Sequence, residues 1–554
     1  MLPRAHSYEE SRRAFRWHIP EAFNAAVDSL DRQCRPGADP DRTALIARQT
    51  DGSTAHFSYR SLKRLSDLLA AAFANLMVEP GTAVATLLPQ GVECALTALA
   101  TLKAGASIAP MDAAWSPSAL AAAMAVARPR VVVADRAAIK VARVAIARLD
   151  PAPMLLAVGA PMDDAPDFWA ALYGAPEAAV AVATAANDAA FLLFSQGRTG
   201  MPKAIRHAHR AVLGHLPAIE MVFEDIARPG DLIWCAARPS HPVGLISGLF
   251  APWLLGIPVL AMGAPDTPAD AEDRIARIAR HGVRLALLTP GAIQALRQFP
   301  EPRAHYSFAL RAVACIGGRP PDDADDWSRK DLGLPLGRLY GETETGPVAS
   351  SHPQWFSSDA ADGIGRAVPG ITLDVVDVDG LPVAVDGVGT LAVLRDYPGL
   401  CLGAEGSPSA VARWARRKYV GKWFLTDDVA RIDEDADIRF VAKADDILPH
   451  AESGFLPDDI ERVLARHRMV ADAAVLALEN PEGETEVVAA VVAKANVPGG
   501  DAAAEALLGA DILDHATQSL APFAVPRRIV FVEAIPRTDE GRVHRARLRA
   551  ALEG

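Results

Sequence analysis

The stretch Phe191-Leu-Leu-Phe-Ser-Gln-Gly-Arg-Thr-Gly-Met-Pro-Lys203 carries the densest chemical information in the chain. An apolar strand runs into a loop that holds glycines, hydroxyls and a lysine, and a helical pattern is expected to follow. Such a loop directs backbone N–H groups, hydroxyls and an ammonium toward one point, which suits a polyphosphate. The glycine and lysine spacing is not that of a P-loop, so that class of nucleotide hydrolase is excluded. Taken alone, the loop reads equally well as an ordinary surface turn. Its meaning depends on what surrounds it.

Around this stretch, apolar strands alternate with Ala-rich amphipathic helices. Residues 82–88, 105–110 and 130–135 read as strands, with helices 91–104 and 116–127 between them. The rhythm returns with helix 271–281, strand 283–288, helix 291–298 and strand 310–316. Strands separated by helices imply βαβ units and largely parallel sheets. Beyond residue 360, short strands and turn signals (371–378, 389–394) point to an antiparallel, barrel-like piece. Helix 457–466, strands 473–478 and 486–493, an acidic helical region and a basic tail follow. The expected fold is α/β: a large N-terminal domain of doubly wound α/β sheets plus a small β-barrel-like piece, then a small α+β C-terminal domain. The cut is expected near residues 442–446, giving domains 1–442 and 443–554.

Composition bounds the function. A chain of 554 residues suits roughly three or four domains, or one large and one small. Half the residues are hydrophobic and 22% are charged, the balance of a soluble globular enzyme. The net charge of −12 argues against nucleic acid and anionic membranes as partners, so any anionic ligand must be held by local groups. The five cysteines lie far apart, without zinc spacing or a disulfide pattern, and residues 1–17 hold no apolar run of signal-peptide length. A cytoplasmic location is expected. Residues 243–264 carry no charge and are long enough to span a bilayer, but two prolines and several glycines make them a buried helix, turn and strand instead.

Four further motifs follow the loop in order: Tyr340-Gly-Glu-Thr-Glu-Thr-Gly346, Leu425-Thr-Asp-Asp428, Lys443-Ala-Asp-Asp446 and Pro536-Arg-Thr-Asp-Glu-Gly-Arg542. Together they resemble the adenylate-forming superfamily of acyl-CoA synthetases, peptide-synthetase adenylation domains and luciferases. Arg16-Trp-His-Ile-Pro-Glu-Ala-Phe-Asn24 and Gly248-Leu-Phe-Ala-Pro-Trp253 are similar to the acetyl- and medium-chain acyl-CoA synthetase branch. The similarity extends over essentially the whole chain.

The resemblance implies a two-step reaction with ATP, magnesium and CoA. A small-molecule carboxylate attacks the α-phosphate to give an acyl-adenylate; the C-terminal domain, mobile in this family, then swings, and the CoA thiol displaces AMP. Ser195, Gly197, Thr199 and Gly200, with Lys203, would hold the phosphates, and Arg198 adds a cation to the same loop. Gly317, Gly318, Arg319, Gly341 and Glu342 fall with the nucleotide-binding set, while Tyr340 would stack on adenine and Thr343 would touch the α-phosphate. Glu344 would bind magnesium, Asp428 the ribose hydroxyls, and Asp445 matches the hinge. His241, Val243, Gly244, Gly317, Gly318 and Gly341 are candidates for the acid pocket. Acetate-specific relatives close that pocket with tryptophan where Gly341 stands, so a void and an acid larger than acetate are expected.

Several positions depart from the family pattern. The second-step arginine is Lys443, and the glycine of the ribose loop is Asp427. A hydroxyl residue of the phosphate loop is Arg198, a common glutamate is Arg319, and a glycine on the pantetheine path is Glu452. The lysine expected to bridge carboxylate and phosphate is Arg542, whose planar fork differs from a compact ammonium. Slow or retuned adenylation is therefore expected, with Arg542 responsible. Two alternatives stay open: a degenerate ligand-binding homologue, and an adenylating enzyme that loads an acyl carrier protein, which Glu452 and Lys443 favour.

Blander readings accompany other residues. His207 and His209 lack an evident third metal ligand. Glu342 and Glu344 could be an acid/base pair, although sequence alone favours a solvated turn. Arg413, Arg416, Arg417 and Lys418 read as a solvated helix face ahead of a CoA-phosphate site, and Arg542, Arg545, Arg547 and Arg549 share that ambiguity. His241 is split evenly between lining a polar pocket and satisfying a backbone group.

Overall fold

Ala83–Leu87 has every side chain buried, the pattern of a central parallel strand covered on both faces. The helices that flank it have clear local causes. Pro117–Ala127 begins at Ser116, whose hydroxyl accepts the N–H of Ala119, has proline in its first turn, and ends at Arg128 in the left-handed region. In the computed structural model, residues 2–48, 53–159, 165–175, 177–196, 202–263, 268–356, 363–444, 457–479, 485–494, 502–520, 524–537 and 543–553 are described. The chain packs as two units, residues 1–373 with 393–424, and residues 374–392 with 425–554.

The first unit holds two large sheets. In one, Met154–Val158, Pro129–Asp135, Ala83–Leu87, Ser107–Pro110 and Ala189–Gln196 run parallel, and Pro202–Ala208 and Gly403–Glu405 extend the edge antiparallel. In the other, Thr43–Arg48, Val259–Ala261, Ile233–Cys235, Leu285–Leu288, Ala312–Cys315 and Leu336–Glu342 run parallel. Gly346–Ser350 and Gly363–Ala367 turn back antiparallel beyond them. These are the expected βαβ sheets.

The segment after the phosphate-type loop is a correction. It is not a helix: Pro202–Ala208 pairs antiparallel with Ala189–Gln196, placing Lys203 opposite Ser195, and the helix Ala211–Phe223 starts only afterwards. The strand is set by its pairing with Ala189–Gln196, and a helix N-terminus therefore does not abut the loop. The apolar stretch after residue 242 is the buried pair of helices Val243–Phe250 and Ala251–Leu254 and the strand Val259–Ala261. Among the described residues, no helix is long and apolar enough to cross a membrane.

In the second unit, Val470–Glu479 pairs antiparallel with Thr485–Ala493, which pairs parallel with Arg528–Phe531. The helices Pro457–Ala465, Ala502–Thr517 and Arg545–Glu553 accompany this sheet. Arg545 bonds Glu461 (2.5 Å) and the Val475 carbonyl, and Arg549 bonds the Ala477 carbonyl. These two tail arginines fasten the last helix to the sheet; Arg547 stays exposed.

Candidate functional site

Strand pairing brings two of the motifs within reach of each other. Lys203 stands on the outer strand of the hairpin, Pro202–Ala208, and its Nζ lies 3.0 Å from Oε1 of Glu344 in the turn between Leu336–Glu342 and Gly346–Ser350. The carboxylate is buried, whereas a third of the lysine side chain remains exposed. The Trp414 ring lies beside the same ammonium, 5.9 Å from centroid to Nζ. Neighbouring hydrogen bonds fix the turn. Thr345 Oγ1 accepts from the Glu342 N–H (3.0 Å) and donates to the Gly346 carbonyl (2.8 Å). The Tyr397 hydroxyl donates to the Thr345 carbonyl (2.6 Å), and the Cys401 N–H to that of Glu344 (2.9 Å). Burial raises the Tyr397 hydroxyl pKa well above its usual value, so it remains a donor.

Glu342 and Glu344 are not a solvated turn. Glu342 pairs with Lys418 (3.3 Å), which is 1% exposed. Lys418 therefore leaves the solvated-face reading of its helix. It sits four residues after the buried Trp414 in Pro408–Lys418, on the apolar stripe, and that spacing was the available signal.

The paired histidines act separately. Nε2 of His207 donates to the Thr343 carbonyl (2.7 Å), while Nδ1 of His209 accepts the Ala25 N–H (3.0 Å). Burial pushes each down to about pH 4, so both are neutral at pH 7. A third buried histidine, His215, was not singled out from sequence. Its Nδ1 meets Ser247 Oγ at 2.8 Å, and burial, with His207 and His241 nearby, pushes it down to about 3. An imidazole within the apolar run Ala211–Ile219 was the signal.

The acid-pocket candidates lie in one neighbourhood only in part. His241 Nδ1 accepts the Val243 N–H (3.2 Å), so one ring nitrogen serves its own turn. Its Cε1 lies 3.9 Å from where a side chain on Gly317 would begin. A side chain on Gly244 would meet the Arg238 carbonyl. Gly341 brings a correction: register shifts between Tyr340 and Gly341, and the Gly346 carbonyl occupies the place of a Cβ. Glycine there permits a bulged close approach of two strands; the expected void is filled by backbone. Gly318 and Arg319 follow Gly317 in the loop after Ala312–Cys315, with Arg319 bonded to Asp322 (3.0 Å).

In the second unit, Asp428 and Lys443 face each other across Trp423–Ile432 and Ile438–Lys443 and form an ion pair. Asp428 is buried, and its N–H bonds Thr426 Oγ1 (3.2 Å), which donates to the Leu391 carbonyl (2.7 Å). Gly197, Arg198, Thr199, Gly200, Asp445, Glu452 and Arg542 lie outside the described residues.

Comparison with known proteins identifies the family. The AMP-binding enzyme family model matches residues 30–397, and the model of the AMP-binding enzyme C-terminal domain matches residues 459–542. The chain is 28% identical to an acetyl-coenzyme A synthetase of Pyrobaculum aerophilum over 98% of its own length and 84% of the relative's. It is 25% identical to the mitochondrial acyl-coenzyme A synthetase ACSM3 of Pongo abelii, covering 98% and 92%. The crystal structure of a Brucella canis acyl-CoA synthetase superposes with a TM-score of 0.73 at 25% identity, covering 98% of each chain. With the AMP-binding enzyme model matched over residues 30–397 and its C-terminal domain model over 459–542, the chain belongs to the AMP-binding enzyme family.

Proposed function

We propose that this chain is an acid–thiol ligase that activates a carboxylic acid with ATP and passes the acyl group to CoA. In the first step a carboxylate oxygen attacks the α-phosphorus, the bond to pyrophosphate breaks, and an acyl-adenylate forms. In the second the CoA sulfur attacks the acyl carbon, AMP leaves, and the thiol proton passes to solvent. The observation that carries this reading is the Lys203–Glu344 pair. It couples an available ammonium to a buried carboxylate at the two motifs that handle phosphate and metal in this family.

Glu344 offers the hard anionic oxygen that magnesium prefers, so the donor chemistry fits; the ion, when bound, offsets triphosphate charge. Lys203 and Ser195 would hold phosphate oxygens, with Gly197, Arg198, Thr199 and Gly200. Tyr340 would stack on adenine beside Gly317, Gly318, Arg319, Gly341 and Glu342, and Thr343 would meet the α-phosphate. Asp428 would take the ribose, Lys443 and Arg542 would act in the second and first steps, and a mobile domain would begin at residue 443, with Asp445 as its hinge. His241, Val243 and Gly244 would contact the acid. An acid larger than acetate is proposed on the resemblance alone, from the absence of the tryptophan that acetate-specific relatives carry at Gly341, because backbone fills the space beside that glycine. The five cysteines are free thiols, in keeping with a cytoplasmic setting. CoA is the proposed acceptor, and parallel transfer assays against an acyl carrier protein separate the two.

The test is acid-dependent pyrophosphate release from magnesium ATP over a panel of carboxylates. Release that requires both an acid and Lys203 supports the reading. Absence of release with every acid, together with no binding of ATP or AMP by calorimetry, overturns it.

A further inference from the structure

Lys418 is 1% exposed, and its ammonium lies 3.3 Å from Oε2 of Glu342, whose side chain keeps only 10% in solvent. A lysine in the last turn of a helix ordinarily extends its ammonium to water, so burial against a carboxylate calls for a reason. The helix Pro408–Lys418 supplies the setting. Trp414, one turn before Lys418, lies beside the Lys203 ammonium at 5.9 Å, and Lys203 in turn holds Glu344. The buried Phe424 ring has its centroid 5.2 Å from the Lys418 ammonium and 6.1 Å from that of Trp414. One helix face thus touches both ion pairs of the turn, Glu342 with Lys418 and Glu344 with Lys203, and Thr343 stands between the two carboxylates in sequence. The pairs differ in access: the Lys203 side chain is a third exposed, whereas that of Lys418 is closed off.

We propose that Lys418 is a positioning residue for ATP: it offsets the buried charge of Glu342, so that the turn of Thr343 and Glu344 can take up a triphosphate. The inference rests on the proposed ligase function, in which that turn meets the α-phosphate and magnesium. Glu344 is a carboxylate that the metal turns to advantage. Glu342 is a second one, two residues away, and without its lysine it would confront the incoming phosphates as a like charge. In a buried setting such a charge is poorly screened. Lys418 acts through Glu342, so its loss should weaken anionic ligands of the site and spare neutral ones. A role confined to holding the fold would weaken both alike.

The test uses the full chain and needs no acid: calorimetric binding of magnesium ATP, with adenosine measured by competition. Lys418→Met should weaken ATP by roughly ten- to a hundredfold, the range over which one charge at this spacing shifts the ionisation of another. Adenosine should change by less than about threefold, because a neutral ligand does not feel the uncovered carboxylate. Lys418→Arg, which keeps the charge, should bind ATP better than Lys418→Met. Adding Glu342→Gln to Lys418→Met should return most of the lost ATP affinity, since the carboxylate charge then leaves with the ammonium. Should Lys418→Met fail to fold, ATP affinity in the double variant equal to that of Glu342→Gln alone supports the proposal, and a further loss overturns it. Equal weakening of ATP and adenosine, or unchanged ATP binding, also overturns it and leaves the ligase reading intact. Because the readout is ATP affinity, it stands whichever acids give pyrophosphate release; wild-type protein that binds neither ATP nor AMP overturns the inference together with the ligase reading.

Discussion

Lys103 and Lys203, both in the first unit, sit on carboxylates and differ in what they leave over. Lys103 is 1% exposed; its ammonium meets Asp31 (2.9 Å), Asp67 (2.6 Å) and Ser66 Oγ (2.9 Å), three acceptors for three N–H groups. Lys203 meets one carboxylate, Glu344, and keeps a third of its side chain in solvent. A saturated ammonium holds helices together, whereas one with donors to spare is available to an anion. Charge alone does not separate a structural lysine from a functional one; the count of acceptors does.

The comparison breaks most visibly if the two are exchanged in effect. Lys103→Met should cost about 3–5 kcal/mol of stability by stranding buried aspartates, with any remaining folded enzyme keeping its kcat. Burial already raises the Asp31 pKa, so acidification should return part of that loss as Asp31 takes a proton. Denaturant midpoints at two pH values read both effects. Lys203→Ala should differ: pyrophosphate release falls roughly a hundred- to thousandfold, the loss of about 3–4 kcal/mol seen when one preorganised donor is removed, while the midpoint falls less than in Lys103→Met because one buried carboxylate is stranded and not two. A Lys203→Ala protein that unfolds but turns over normally would reverse the assignment.

This distinction also marks what the sequence could reveal. The parallel sheets were legible because buried strands such as Ala83–Leu87 and capped helices such as Pro117–Ala127 write their periods and stop signals locally. The motif lysine and glutamate were legible as types. What escaped was set by distant pairing. The hairpin that puts Lys203 opposite Ser195 needs a partner strand, and residues 203–209 carry no period-2 alternation that would mark a strand on their own. Lys418 and His215 are buried by helix packing, and polar residues on apolar faces contradict the pattern that predicts them. Gly341 misled because the residue lining its α-carbon, Gly346, is defined by a register shift that no local signal records.

A buried histidine extends the contrast to groups that the fold holds neutral. His209, bonded to the Ala25 N–H, is held neutral with a pKa of about 4 against about 6.5 in an unfolded chain. The folded value is depressed, so unfolding binds a proton at acid pH. Its contribution is present above pH 6.5 and is lost as pH falls toward 4, about 2 kcal/mol of it by pH 5. His209→Gln can keep an acceptor for Ala25 and cannot titrate, so its stability should fall less between pH 7 and 5 by about that amount. An unchanged pH dependence would mean that His209 is accessible to protons in the folded protein.

The smallest effect concerns a cation known from sequence alone. Arg542 retains the charge of the lysine expected at its position, so its replacement changes shape and donor geometry but not sign. Arg542→Lys should therefore raise acid-dependent pyrophosphate release by a modest factor, on the order of tenfold, which corresponds to ~1.4 kcal/mol of transition-state stabilisation. The gain should appear in release and not in ATP binding, because a charge common to both residues already serves binding. That split separates it from Lys203, where charge itself is removed. No change, or a loss, would mean that the fork of Arg542 is adapted to the acid this enzyme uses, and that its departure from the family lysine is a matter of substrate and not of impaired chemistry.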